Sequence, residues 1–207
     1  GATPIFADVD PESGCITSET IEPLINNRTK AIAVVHFAGW PADMESICRL
    51  AKKHNIYVIE DCAQAHGAEI LVDETYRSVG TFGDVSAWSF CQDKIISTGG
   101  EGGMITTNNP EIKKFIWSFK DHGKNFDLYK SPNSNFTFKW VHENFGNNFR
   151  MTEMQSVIGI KQLELLNNWT KIRTNNARII REKLEDLNAI SIPIPSKKYK
   201  HAWYKFY

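Results

Sequence analysis

Apolar residues follow two spacings along this chain. Short continuous runs occur at Pro4–Val9, Lys30–Phe37 (KAIAVVHF), Ile56–Ile59 (IYVI), Val85–Phe90 (VSAWSF) and Gly103–Thr107 (GMITT). Runs of this length bounded by turn residues predict strands, and the last two predict buried ones. Between them the spacing lengthens to three or four. Ser18 predicts the cap of a helix reaching about Asn26, and Asp43 caps another whose apolar face is Met44, Ile47, Cys48 and Ala51. Asn109-Pro110 opens a helix to about Phe119, with proline at its first position. Thr152 caps a long helix, bent on its way to about Leu187, with Met154, Val157, Ile158 and Leu165 on its inner face. Ile70–Val79 holds a small hairpin, Ile190–Pro195 a linker, and Ala202–Tyr207 a final strand. The stretch Asp121–Phe149 is rich in Asn, Lys and aromatics and has weak periodicity.

Strand and helix in alternation predict an α/β fold with a mainly parallel sheet. Ligands of such sheets bind beyond the carboxyl ends of the strands. Asp61 follows the IYVI run directly, and Lys94 follows VSAWSF within a few residues, so the two face one crevice. A lone lysine is ordinarily a solvated surface residue. Here it lies in a loop between two strands, followed by Gly99, Gly100, Gly102 and Gly103, and such loops are where reactive groups sit.

Composition removes several function classes. The chain has 207 residues, 42% hydrophobic and 23% charged, with formal net charge zero, so no electrostatic footprint points to nucleic acid or an anionic membrane. No apolar run approaches the roughly 18 residues of a membrane span. Cys15, Cys48, Cys62 and Cys91 form no CxxC pair and no zinc spacing with histidine. They read as reduced thiols of a cytoplasmic protein, Cys62 and Cys91 as small buried hydrophobes, and no metal site is expected. The chain opens at Gly1 without a lead-in and stops in an apolar run, the expectation for a segment of a longer polypeptide.

An aspartate at a buried strand end requires a cation or donors. Taken alone it is a helix cap. Taken with Lys94, it matches the needs of pyridoxal phosphate: an amine for the Schiff base, a carboxylate for the ring nitrogen and donors for the phosphate. Lys94, Asp61 and Ser89 supply these in turn.

The series GATPIFADVD, VVHFAGWPADM, VIEDCAQAHGAE, GTFGDVSAWSF, DKIISTGGEGGMITTNN, DHGK and GNNFRMTEMQSVIGIKQLE resembles the DegT-like sugar-nucleotide aminotransferases, a fold-type I pyridoxal-phosphate family. The likeness covers most of residues 1–166. It implies a three-layer αβα large domain over 1–166, lacking its N-terminal part, then a connecting helix and the start of a smaller α+β domain over 167–207. It implies that Lys94 carries the cofactor, Asp61 meets the pyridine nitrogen, Gln64 lies at the phenolic oxygen and Ser89 binds the phosphate. Asn148 would reach the phosphate of the neighbouring subunit in a homodimer with composite sites. His66 and Arg150 line the region, in a substrate-facing or a structural role. The implied reaction is transamination of a nucleotide-linked keto sugar in amino-sugar biosynthesis, with glutamate as donor. Trp40 and Ile95 stand where many members have Gln and Asn, which bears on the substrate. About a hundred residues precede this region in the family, bringing a phosphate-holding turn and an aromatic that stacks on the ring. Alternatives are sugar dehydration or deamination on the same fold, or a catalytically silent regulatory relative. The dehydrating members carry histidine at the lysine position, so Lys94 favours transamination.

Overall fold

The computed structural model describes residues 1–130, 141–187 and 189–207. In chain order the elements are α1 (Ser18–Ile21), β1 (Ala31–Val35), α2 (Met44–His54), β2 (Tyr57–Asp61), β3 (Glu69–Val72), β4 (Thr75–Ser78), β5 (Val85–Ser89), β6 (Gly103–Thr106), α3 (Pro110–Lys120), α4 (Phe126–Lys130), α5 (Glu153–Leu184) and β7 (Tyr199–Lys200). The main sheet runs β1-β2-β5-β6, with β1, β2 and β5 parallel and β6 antiparallel at the edge. This is the expected α/β arrangement with a mainly parallel sheet. A second sheet, β4-β3-β7, joins the expected hairpin to the C-terminal segment.

The strand pleat sorts the main sheet into two faces. Ile32, Val34 and Val58 point into the core and pack with Met44, Ile47, Leu50 and Ala51 of α2. Val34, Glu60, Ser86 and Thr106 form one row across this face, and Val35, Asp61, Ala87 and Ile105 form the adjacent row on the other. On that other face Val35, Tyr57, Ile59 and Ile105 are exposed.

Several sequence expectations are corrected. Pro4–Val9 is not a strand: among the described residues its one pairing is the isolated bridge Val9–Ile16, and Phe6 is 88% exposed. Apolar content gives a strand propensity, but a strand needs a partner to hydrogen-bond. Gly103–Thr106 is a strand but not buried, because it occupies a sheet edge. The first helix is capped by Thr17 rather than Ser18, and passes into a 3₁₀ turn at Pro23. Residues 202–207 are not a strand. Thr152 caps α5 as expected, in a reciprocal box with Gln155, and the helix runs on as one element through residue 166. Its inner face is out of phase with the expected one. Met154, Val157, Ile158 and Leu165 are exposed, Met154 at 78%. The stripe that packs inward is Gln155, Gly159, Gln162, Leu166, Trp169, Arg173 and Ala177. It includes glutamines because it faces an irregular loop with free backbone groups: Gln162 Oε1 accepts from Ser97 N–H at 2.6 Å, and Gln155 Nε2 donates to Glu101 C=O at 2.8 Å.

A charge sits in the core. Glu60 is fully buried. One carboxylate oxygen accepts from His36 Nε2 at 3.1 Å and Gly80 N–H at 2.7 Å; the other accepts from Phe82 and Gly83 N–H at 2.8 and 2.6 Å. His36 Nδ1 accepts from Ala42 N–H at 3.1 Å, which leaves the ring proton on Nε2 for Glu60. Burial pushes the Glu60 carboxyl up, but the hydrogen bonds from His36, Gly83 and Gly80 outweigh it and hold the group below its ordinary value of 4.5. The folded state therefore binds this proton less readily than the unfolded state, so the stabilisation is present above about pH 4.5 and is lost as pH falls below it. Glu60→Gln turns an amide N–H₂ toward backbone donors and is expected to lower the unfolding free energy by about 3 kcal/mol near neutral pH, on the scale of a broken buried pair. Urea unfolding across pH 3–7 checks this. Wild-type and variant should converge at the acid end, and parallel pH profiles would refute the assignment.

Candidate active site

The carboxyl edge of the parallel strands gathers most of the predicted chemistry. Asp61 ends β2, opposite Ala87 of β5. Ser89 lies two residues beyond Ala87 and so points to the same face as Asp61. The Asp61 side chain accepts from Ala63 N–H at 3.0 Å, which turns the chain sharply at the strand end. Its backbone C=O accepts from His36 N–H at 3.2 Å. Gln64 follows in this turn, and its Oε1 accepts from Ala38 N–H at 2.7 Å. That bond orients the carboxamide and leaves its N–H₂ as the outward donor. Ser89 Oγ accepts from Cys91 N–H at 3.3 Å.

Lys94 lies in the loop that follows β5, its N–H bonded to Cys91 C=O at 3.0 Å. The side chain is only 15% exposed, and its Nζ stands 3.8 Å from Asp93 Oδ1 and 5.0 Å from the centre of the Tyr204 ring. The loop then turns through Gly99 and Gly100, both at positive φ (76° and 146°), a conformation a side chain would strain.

His66 is 2% exposed, and neither ring nitrogen has a hydrogen-bond partner among the described residues. The ring lies against Trp88 and Phe90, with centroids 5.4 and 5.8 Å apart. Burial, reinforced by the positive charge of Lys94, holds the imidazole down to about 4, while the Ser89 backbone, outside hydrogen-bond geometry, opposes weakly.

Asn148 and Arg150 stand in a different cluster. Asn148 Oδ1 accepts from Arg150 Nε at 2.9 Å, and the same nitrogen lies 3.4 Å from Asp121 Oδ1. Asp121 Oδ2 accepts from Lys124 Nζ at 3.0 Å. Both Asn148 and Arg150 are exposed, and no hydrogen bond among the described residues joins them to the Asp61–Lys94 group. All four cysteines are free; Cys62 is buried as expected, but Cys91 is half-exposed, with Sγ 3.3 Å from Glu101 Oε1. His36, Glu60 and Cys62 have ligand atoms within 4.8 Å of one another, but both Glu60 oxygens and both His36 nitrogens are already engaged. Two neighbours of Lys94 escaped the sequence reading. Asp93 is adjacent in the chain and had a signal in its charge; Tyr204 is 110 residues away and had none.

Compared with known proteins, all of residues 1–207 match the DegT/DnrJ/EryC1/StrS aminotransferase family. The chain belongs to this family. Among its members, the UDP-N-acetyl-3-dehydro-alpha-D-glucosamine 3-aminotransferase of Acidithiobacillus ferrooxidans is 37% identical over 206 residues, covering 100% of this chain and 51% of that protein. The crystal structure of an aminotransferase from Psychrobacter cryohalolentis is 48% identical, with TM-score 0.92 over 99% of this chain and 53% of that one. The Bacillus subtilis protein NtdA, solved with bound cofactor PMP, is 30% identical, with TM-score 0.78 over 98% of this chain and 43% of that one. The chain thus spans about half the length of the family members it matches. No helix among the described residues is long and apolar enough to cross a membrane.

The His66 ring should stay neutral through the physiological range. Its carbon-bound proton resonances are expected to hold still from pH 8 to pH 5 and to move only near pH 4. A midpoint near the ordinary 6.5 would mean that the ring is solvated.

Proposed function

We propose that the full-length protein is a pyridoxal-phosphate-dependent aminotransferase that installs an amino group on a nucleotide-linked keto sugar, with glutamate as donor. The observation that carries this reading is the placement of Asp61 and Ser89 on one face of adjacent parallel strands, with the shielded Lys94 amine in the loop that follows. The donor set suits the cofactor: an amine, a carboxylate, a hydroxyl and an amide N–H₂ along one edge, beside a buried imidazole without hydrogen-bond partners among the described residues. The PMP bound by NtdA and the UDP-linked 3-dehydro sugar named for the Acidithiobacillus enzyme support the same assignment.

When bound, the cofactor supplies a carbonyl for amines and an electron sink for the α-carbon. Lys94 would hold it covalently, then move a proton from the donor's α-carbon, as base and then as acid. Asp61 would keep a proton on the ring nitrogen. Gln64, fixed by Ala38, would donate to the phenolic oxygen, and Ser89 to the phosphate. His66, neutral and packed against Trp88 and Phe90, would shape one wall without adding charge. Asn148 and Arg150, exposed on their loop, would serve the site of a second subunit, so the working unit is a homodimer with composite sites, in the cytoplasm.

The visible spectrum of the purified full-length protein tests the core of this reading. A Schiff-base band is expected in wild-type and absent in Lys94→Ala, and glutamate should bleach it. Asp61→Asn is expected to cut turnover by about a hundredfold or more while cofactor affinity changes by less than about tenfold. Near wild-type turnover in that variant would reduce Asp61 to a turn residue.

A further inference from the structure

The segment that follows β7 returns to the strand edge and places a phenol beside Lys94. Tyr204 is almost fully buried. Its hydroxyl donates to Asp93 Oδ2 at 2.6 Å, while the other oxygen of that carboxylate stands 3.8 Å from Lys94 Nζ. The Tyr204 ring presents its π system to the same amine at 5.0 Å. The tyrosine is fastened from behind. Its N–H and that of Lys205 donate to Ala38 C=O at 3.0 and 3.3 Å, and Ala202 N–H donates to Gly39 C=O at 2.9 Å. Arg173 Nη1 from α5 donates to Trp203 C=O at 3.2 Å. Ala38 is the residue whose N–H is held by Gln64. One turn therefore carries both the Gln64 amide and the Tyr204 ring.

We propose that Tyr204 is a positioning residue for Lys94: its hydroxyl fixes Asp93, and its ring and the Asp93 carboxylate together form a two-sided rest that aims the amine along the strand edge. The proposal rests on the reading of Lys94 as the amine that carries the cofactor. A free lysine side chain samples many rotamers. An amine held between a π face and a carboxylate samples few, and it meets an arriving aldehyde already oriented. Tyr204 makes and breaks no bond and moves no proton. It acts through Lys94.

The test uses the full-length protein freed of cofactor and mixed with pyridoxal phosphate. The lysine nitrogen bonds to the aldehyde carbon and the aldehyde oxygen leaves as water, so growth of the Schiff-base band reports the rate. Affinity for pyridoxamine phosphate, which has no aldehyde and does not condense with Lys94, is measured alongside. Tyr204→Phe and Asp93→Asn should each slow condensation by about three- to tenfold, and Tyr204→Leu, which also removes the ring, by more than about tenfold. Because Tyr204 and Asp93 act on Lys94 through one connected set of contacts, the double variant should be slowed by less than the product of the two single effects. Pyridoxamine phosphate affinity should stay within about twofold throughout. Condensation at the wild-type rate in Tyr204→Phe and Asp93→Asn, or affinity lost in proportion to rate, would reduce Tyr204 to packing. Should Tyr204→Leu fail to melt cooperatively, the two conservative variants decide alone. A borohydride-reduced adduct found on a residue other than Lys94 would defeat the reading of the site itself, and the proposal with it.

Discussion

The Glu60 carboxylate is a full negative charge inside the core, and it is tolerated there because four N–H groups point at it. A bare carboxylate in such a place would cost several kcal/mol. The donors come from two separate parts of the chain: His36 just past β1, and Gly80, Phe82 and Gly83 in the turns before β5. The charge therefore ties the carboxyl ends of β1 and β2 to the turns that lead into the amino end of β5. His36 passes the constraint on by accepting from Ala42, which sets the entry into α2. Every residue of the candidate site hangs from an element that this network holds.

The strand pleat turns that constraint into a site. Glu60 and Asp61 are neighbours, so one points into the core and the other to the opposite face. Once Glu60 is locked inward, Asp61 has one direction left. The parallel register then places Ala87 opposite Asp61 and Ser89 just beyond, and Lys94 follows in the first loop. Two acidic residues with different fates thus share a dipeptide, one holding the scaffold and the other turned to the opposite face of the sheet.

A second set of contacts ties distant sequence to the same edge. The Ala38–Gly39 turn is bonded by Gln64 on one side and by residues 202–205 on the other. Helix α5 joins in through Arg173, and it also holds the glycine loop through Gln155 and Gln162. The loop after Lys94 and the segment that carries Tyr204 are therefore braced by one helix. Displacement of α5 would be felt on both sides of the amine.

Much of this was legible in the chain itself. The runs KAIAVVHF and VSAWSF and the IYVI run declared three strands, because an apolar run bounded by turns is stable only in a sheet. The α2 face at Met44, Ile47 and Ala51 was legible for the same reason, since one helix face must be buried. Asp61, Ser89 and Lys94 stood out because they lie at or just beyond the ends of those strands, and Gln64 only through the family resemblance. Local pattern failed where burial depends on a distant partner. Pro4–Val9 has the content of a strand, and among the described residues it pairs only through the single Val9–Ile16 bridge. In α5 the apolar residues mark one stripe, and the loop at 97–101 selects another, because unpaired backbone groups attract Gln155 and Gln162 more than methyl groups. The sequence by itself determined the α/β order, the placement of Asp61 and Ser89 at the carboxyl ends of neighbouring strands, and the family. Only the tertiary structure decided that Glu60 is the buried carboxylate, that His66 is buried against Trp88 and Phe90 and that Tyr204 stands beside Lys94. Hydrogen-bond satisfaction and desolvation act between residues that are close in space, and no spacing along the chain encodes them.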